Sequence, residues 1–327
     1  VNRWSFGNSL GVFSRDEAKH WTMKNHLSKE QSVRFYVGDI RDRERIKEVI
    51  QQFLPEIVII AAALKQVDTC EFAPSESLKT NVLGVNNVVE SCYALEDQMS
   101  CLKSVLMVST DKACAPTNVY GMSKALSERL VVGKSRISKE MKFLGVRYGN
   151  VLDSRGSIVP LFRYQAQYGD HFTLTDKRMT RFLMTLDESV DLIESALEMG
   201  QNGEFWIPQL RSMKIMDLVE IFSTLFPKPI IEIGIRAGEK LHEDLISPTE
   251  SLRAAKSQGV IVLKPESNSR SVNQDLWTYS SQYDNLSKDA LEKFLRETGI
   301  LSTPLDSFLG KGIEEIRTSN NSILSDR

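Results

Sequence analysis

Residues 104–124 constrain this chain more than any other stretch. Residues 104–108 are a short apolar run, partly β-branched and bounded by polar side chains, the pattern of a strand buried in a parallel sheet. Ser109, Thr110, Asp111 and Lys112 follow where that strand ends, and in open α/β sheets ligands bind at the carboxyl ends of the strands. After the turn Pro116-Thr117-Asn118, Tyr120 and Lys124 lie one helical turn apart and share a face. A lysine beside a tyrosine disfavours the neutral phenol, so a tyrosine with a buried lysine behind it is a candidate general base near neutral pH. Tyr-x-x-x-Lys alone also arises by chance, as a surface tyrosine and a solvated lysine. The strand and its polar end are what turn the pair into a candidate site.

In this context the motif resembles the extended short-chain dehydrogenase/reductase family. The Asp111-Lys112 pair resembles one branch of it, the nucleotide-sugar 4,6-dehydratases, which need a second acid/base pair because they also remove water. Later motifs sharpen the likeness to the soluble, C5-inverting UDP-N-acetylglucosamine 4,6-dehydratases. They are Arg147-Tyr148-Gly149-Asn150-Val151-Leu152-Asp153-Ser154-Arg155-Gly156-Ser157, then Met179-Thr180-Arg181-Phe182-Leu183-Met184-Thr185, then Arg236-Ala237-Gly238-Glu239-Lys240-Leu241-His242-Glu243. The resemblance implies a Rossmann-type, doubly wound parallel α/β sheet with a smaller α/β substrate domain. It places the NADP-binding part at 1–150 plus about 187–209, the UDP-sugar part at 151–186 and 210–300, and a tail at 301–327.

The N-terminus departs from the family. Ser5, Phe6 and Gly7 match the end of its glycine-rich, pyrophosphate-binding turn, but Trp4 stands where a central glycine belongs. Residues 13–16 read as the end of a second strand, and the few residues from Gly7 to Phe13 are too short for a parallel crossover. Residues missing near Leu10 and Gly11, and before Val1, are therefore expected; the alternative is a degenerate first unit. Ser14 and Arg15 fall where the adenosine ribose is read, and an arginine there favours NADP over NAD. Residues 33–37 read as a strand followed by Asp39 and Ile40 beside the adenine, and 41–53 as a helix. Residues 57–61 form a strand running into Ala61, Ala62 and Ala63, small enough for a cofactor to approach. Lys65 is assigned to the cofactor or to the sugar nucleotide. Residues 75–96 read as one helix carrying Asn81, either a support for the active-site strand and cofactor or an ordinary polar helix residue.

On the substrate side the resemblance assigns Asn150, Val151, Arg155, Ser157 and Thr175, with Arg181 as a phosphate contact or structural partner. Arg236 meets the diphosphate, with Glu239 in the same segment; the alternative is a loop arginine paired to Glu239 or Glu243. Residues 264–282 read as a long loop and the chain beyond Thr303 as frayed.

Composition excludes other classes. The 327 residues carry a net charge of −2, with 41% hydrophobic and 26% charged residues, which gives no electrostatic case for nucleic acid. No run approaches the ~20 apolar residues of a membrane helix, and no signal-peptide pattern opens the chain. Cys70, Cys92, Cys101 and Cys114 lack CxxC spacing and read as reduced cytoplasmic thiols. The four histidines form no metal-ligand spacing, so no metal is expected.

The implied activity is dehydration of UDP-N-acetylglucosamine or a similar UDP-sugar by a cytoplasmic homo-oligomer, a dimer or hexamer. Tyr120, with Lys124, takes the C4 hydroxyl proton, Thr110 holds the C4 oxygen, Lys112 takes the C5 proton and Asp111 protonates the departing C6 hydroxyl. As a base Lys112 must be neutral, which calls for a pKa lowered by burial or positive charge. The alternatives are another UDP-sugar dehydratase or 4-epimerase, or a degenerate, non-catalytic sugar-nucleotide-binding protein.

Overall fold

The computed structural model describes residues 4, 7–27, 32–154, 156–257, 259–265 and 275–308. The first half runs β1 (Leu10–Ser14), α1 (Glu17–His26), β2 (Val33–Val37), α2 (Arg43–Phe53), β3 (Ile57–Ile60), α3 (Val67–Phe72), α4 (Pro74–Ser77), a π-helical turn (Leu78–Leu83), α5 (Gly84–Ala94), β4 (Ser104–Thr110), a 3-10 turn (Asp111–Ala113), α6 (Val119–Ser135) and β5 (Lys142–Tyr148). The second runs α7 (Ile158–Tyr168), β6 (Phe172–Leu174), β7 (Thr180–Leu183), α8 (Leu186–Met199), β8 (Phe205–Pro208), β9 (Arg211–Lys214), α9 (Ile215–Leu225), β10 (Ile230–Glu232), β11 (Asp244–Ile246), α10 (Pro248–Ser251), β12 (Ala254–Ser257), β13 (Val260–Leu263), β14 (Tyr279–Ser280) and α11 (Lys288–Glu297).

A six-stranded sheet in the order β12-β13-β8-β5-β4-β3 organises the fold. Its β3, β4, β5 and β8 are parallel, while β13 and β12 close it as an antiparallel hairpin. Helices cover both faces, and the strand side chains alternate between them. Val105 and Met107 of β4 join a core with Val85 and Val89 of α5 and Val131 of α6. Leu106 faces the opposite core with Leu192, Ile193 and Ala196 of α8. All three β4 side chains are fully buried, each stabilising the sheet by about 1.5–3 kcal/mol. A further core packs α7, α9 and α11 around Phe162, Phe172 and Phe222.

Several expectations are corrected. Leu10 and Gly11 lie inside one continuous strand, in register with Val33 and Arg34, and the Leu10 amide donates to the Ser32 carbonyl at 2.9 Å. Residues 13–14 end the first described strand rather than a second one, and α1 supplies the crossover to β2. However, β1 and β2 form a separate two-stranded parallel sheet with no pairing to β3. Trp4 packs against the core that holds Leu106, Val146 and Leu192, with its indole N–H donating to Glu194.

The helix expected over 75–96 is broken by the π-helical turn around Asn81. Ser127 Oγ donates to the Asn81 carbonyl at 2.6 Å, and the Gly84 amide reaches back to the Lys79 carbonyl. A helix ladder interrupted by a side chain widens in this way. The loop expected over 264–282 contains β14, and its residues 266–274 lie outside the described set. Beyond Thr303 the chain is not wholly frayed: Phe308 is fully buried, and the Arg163 guanidinium lies over its ring.

Candidate active site

β4 delivers Ser109 and Thr110 to the sheet edge, and the 3-10 turn places Asp111 and Lys112 directly after them. Asn118 caps α6, accepting from the Gly121 amide at 2.7 Å, so the helix starts one residue before Tyr120. A Cβ on Gly121 would stand 2.2 Å from the Lys112 carbonyl oxygen. The glycine thus lets α6 close against the turn and brings the Tyr120 phenol into the reach of Thr110, Asp111 and Lys112. Thr110 Oγ1 also donates to Asp111 Oδ1 at 2.9 Å. Lys112 Nζ sits between two buried carboxylates, 3.2 Å from Asp111 Oδ1 and 3.1 Å from Glu243 Oε1. Asp111 Oδ2 and Glu243 Oε2 have no hydrogen-bond partner among the described residues.

The electrostatics differ from expectation at both bases. Burial pulls the Lys112 pKa down, but Asp111 and Glu243 outweigh it, and the ammonium is held above its ordinary value. Tyr120 is pushed up to about 12 by burial, which exceeds the opposing influence of the Lys112 charge and the Thr110 hydrogen bond. Lys124 is buried, donates to the Val108 carbonyl at 2.6 Å, and is lowered to about 8 by desolvation despite Glu128. Lys112 is therefore the cation that acts on the phenol, and Lys124 is the more readily neutral lysine.

Asn81 is fully buried. Its Oδ1 accepts from the Leu64 amide at 2.8 Å, while Nδ2 donates to the Leu64 carbonyl at 2.9 Å and to Ser123 Oγ at 3.0 Å. It clamps the segment after β3 to α6. Below the site lies a charged layer. Arg147 forks onto Glu128 and Glu250, and Ser109 donates to Glu128 at 2.6 Å.

Other assigned residues spread around this edge. Ser5, Phe6 and Arg155 lie outside the described residues. Gly7 adopts φ +76°, with open space around it. Ser14 Oγ accepts from the Asp16 amide, and Arg15 is exposed with Nη1 3.7 Å from Asp39. Arg41 engages Asp39 through Nη2 at 2.8 Å and holds that carboxyl below its usual range. Ile40 is buried, Ala61, Ala62 and Lys65 are exposed, and Ala63 is half-buried. These small or charged groups at the ends of β1, β2 and β3 fit a dinucleotide lying across the sheet edge. On the sugar side, Asn150 Oδ1 and Ser157 Oγ are buried without a hydrogen-bond partner among the described residues. Val151 bridges to Met184, and Thr175 is half-buried beyond β6. Arg181 spends its donors on the Thr180 and Leu241 carbonyls at 2.7 and 3.1 Å. Arg236 is exposed and paired to Glu239, its Nε donating to Oε1 at 3.0 Å. Glu243 is the site residue the sequence reading left without a role: it closes the Arg236–Glu243 motif and was otherwise weighed as a partner for Arg236.

Residues 6–265 match a family model described as polysaccharide biosynthesis protein. A UDP-N-acetylglucosamine 4,6-dehydratase (inverting) from Campylobacter jejuni serotype O:2 is 37% identical over 308 residues, covering 89% of each chain. A UDP-glucose 4-epimerase from Rickettsia canadensis is 40% identical over 249 residues, covering 75% of this chain and 71% of its own. Among solved structures, Pen from Bacillus thuringiensis superposes with a TM-score of 0.81 at 30% identity, covering 89% of this chain and 90% of its own.

Proposed function

The chain belongs to the polysaccharide biosynthesis protein family, and we propose that it is a UDP-N-acetylglucosamine 4,6-dehydratase inverting at C5. The observation that carries this reading is the Asp111–Lys112 pair, hydrogen-bonded to Thr110 and set beside Tyr120 at one strand end. A 4-epimerase needs only the tyrosine end of that array, because it removes no water. The Rickettsia relative favours that second reading, and the reaction product separates the two.

The cofactor site is assigned to Gly7, Ser14, Arg15, Asp39, Ala61, Ala62 and Ala63, with Asn81 acting through Leu64. Arg15 favours NADP. Held by these residues, the dinucleotide would supply a hydride acceptor for C4 and a hydride donor for C6, with no net oxidation. Tyr120 takes the C4 hydroxyl proton while Thr110 orients the C4 oxygen. The 4-ketone acidifies the C5 hydrogen, which Lys112 removes, and Asp111 protonates the C6 oxygen as it leaves as water. Asn150 and Ser157, with buried polar atoms in need of partners, are assigned to the UDP-sugar. We assign residues 151–186 and 210–300 to the sugar side and the remainder up to 209 to the cofactor side. Exposed Leu78, Leu83, Met122 and Leu126 on the packed π-helical turn and α6 support self-association. No described helix is long and apolar enough to cross a membrane, and all four cysteines are free, which supports a reducing, cytoplasmic setting.

The test is incubation with NADP+ and UDP-N-acetylglucosamine in D2O, followed by NMR. The expected product is a 4-keto-6-deoxy sugar carrying deuterium at C5. A 4-epimer retaining its C6 hydroxyl would overturn the dehydratase reading. Lys112→Ala should bind the UDP-sugar but form no product, since the lysine acts after C4 oxidation.

A further inference from the structure

Glu243 has no task in the chemistry above, yet it is built into the centre of the site. It is 2% exposed, with Oε1 3.1 Å from Lys112 Nζ and 3.9 Å from Arg181 Nε. Its backbone is fixed from both sides: its amide donates to Ser281 Oγ at 2.9 Å and its carbonyl accepts from the Ser281 amide at 2.8 Å. Ser281 is itself fully buried and joined to Thr180 Oγ1 at 2.8 Å. The fold therefore holds a desolvated carboxylate, one oxygen without a hydrogen-bond partner among the described residues, against a lysine that already has a carboxylate on its other side. A structural ion pair for Lys112 needs only one of the two.

We propose that Glu243 is a positioning residue for Lys112: with Asp111 it closes a three-membered chain of proton-sharing groups that aims the lysine nitrogen and holds its proton between turnovers. This rests on the dehydratase reading. Moving one proton from Lys112 Nζ to Asp111, 3.2 Å away, gives a neutral amine and a carboxylic acid without any net proton change. Those are the two forms that dehydration requires. The amine then takes the C5 proton, the C5–H electron pair becomes the C5–C6 π bond, and the C6–O bond breaks as Asp111 protonates that oxygen. Water departs, and the chain returns to its starting state. Glu243 keeps its charge throughout. That charge lies 3.1 Å from Lys112 Nζ and makes the lysine a stronger base when it takes the C5 proton. The other groups around the pair are Tyr120 from α6, Arg181 from β7, and His242 and Asp244 flanking Glu243.

Two readouts on the full chain test this. In the first, Lys112 is pulse-labelled with acetic anhydride across a pH series and read by peptide mass spectrometry. Glu243→Gln keeps the shape and removes the charge, so the Lys112 midpoint should fall by about one pH unit or more; an unchanged midpoint overturns the proposal. In the second, turnover of UDP-N-acetylglucosamine with NADP+ should fall by about 10–100-fold in kcat, with KM nearly unchanged and the acidic limb of the kcat profile moved to lower pH. A full kcat with an unmoved limb also overturns it. If Glu243→Gln does not fold, Glu243→Asp, which withdraws the carboxylate by one methylene, should move the midpoint the same way by less, and no movement overturns the proposal. Failure of the dehydratase reading shows up separately, as a wild-type chain that forms no 4-keto-6-deoxy product whatever Lys112 does in the labelling series.

Discussion

Arg15 is the side chain on which the proposed preference for NADP rests. It stands exposed just past β1, and its nearest carboxylate, Asp39, is already engaged by Arg41. Its guanidinium is therefore free to turn to a ribose 2′-phosphate, a group only NADP carries. Because the site is open to water, the contact is worth no more than about 1 kcal/mol. Arg15→Ala should weaken NADP by about fivefold and leave NAD nearly unchanged when both are titrated by calorimetry; equal losses would show that Arg15 does not read the phosphate. The lysines behave differently. Position in the sequence marked both Lys112 and Lys124 as special, but their surroundings come only partly from the nearby chain. Asp111 next to it and Glu243 far from it raise Lys112, and burial lowers Lys124.

At the scale of elements, α6 and β4 meet β5 through the charged layer of Arg147, Glu128 and Glu250. Arg147 is 1% exposed and reaches both carboxylates within 3.0 Å. Burial alone would raise the Glu250 pKa, but Arg147 overrides it and lowers it from 4.5 to about 2. A carboxyl depressed on folding adds stability above its unfolded value and loses it as pH falls through the folded one. Stability should therefore decline between about pH 4.5 and 2, by on the order of 3 kcal/mol from this group. Urea midpoints at pH 7, 4 and 3 check it. Glu250→Gln should lower the midpoint at pH 7 and flatten the decline; an unaltered acid slope would remove Glu250 as its source. The layer holds the strand end that carries Ser109 and Thr110, so its loss should reach the site through backbone position.

The whole molecule is less continuous than a doubly wound sheet leads one to expect. β1 and β2 pair only with each other, and isolated two-stranded units are marginal in water. Their hold on the body comes through side chains, with Phe53 of α2 lying against Gly11. Amides of β1 should exchange with solvent faster than those of β4 by at least about 100-fold, and NADP should slow them by bridging Arg15 to the edge of the main sheet. Hydrogen exchange with peptide resolution decides this; equal protection in β1 and β4 without cofactor would show that the pair is no separate unit. Local pattern was enough to place most elements. The buried run of β4, the turn before α6 and the Tyr120–Lys124 face were all readable, because strand burial, turns and helical spacing are set by residues close in the chain. The layered α/β class followed from them. What the chain order concealed was set by contacts over long separations: the separate β1–β2 sheet, the π-helical turn made by Ser127 on Asn81, and Glu243 beside Lys112. Such contacts have no period in the sequence. They exist only once β7, β11 and the Ser281 segment are folded against the end of β4, and that packing adds a second carboxylate to the lysine.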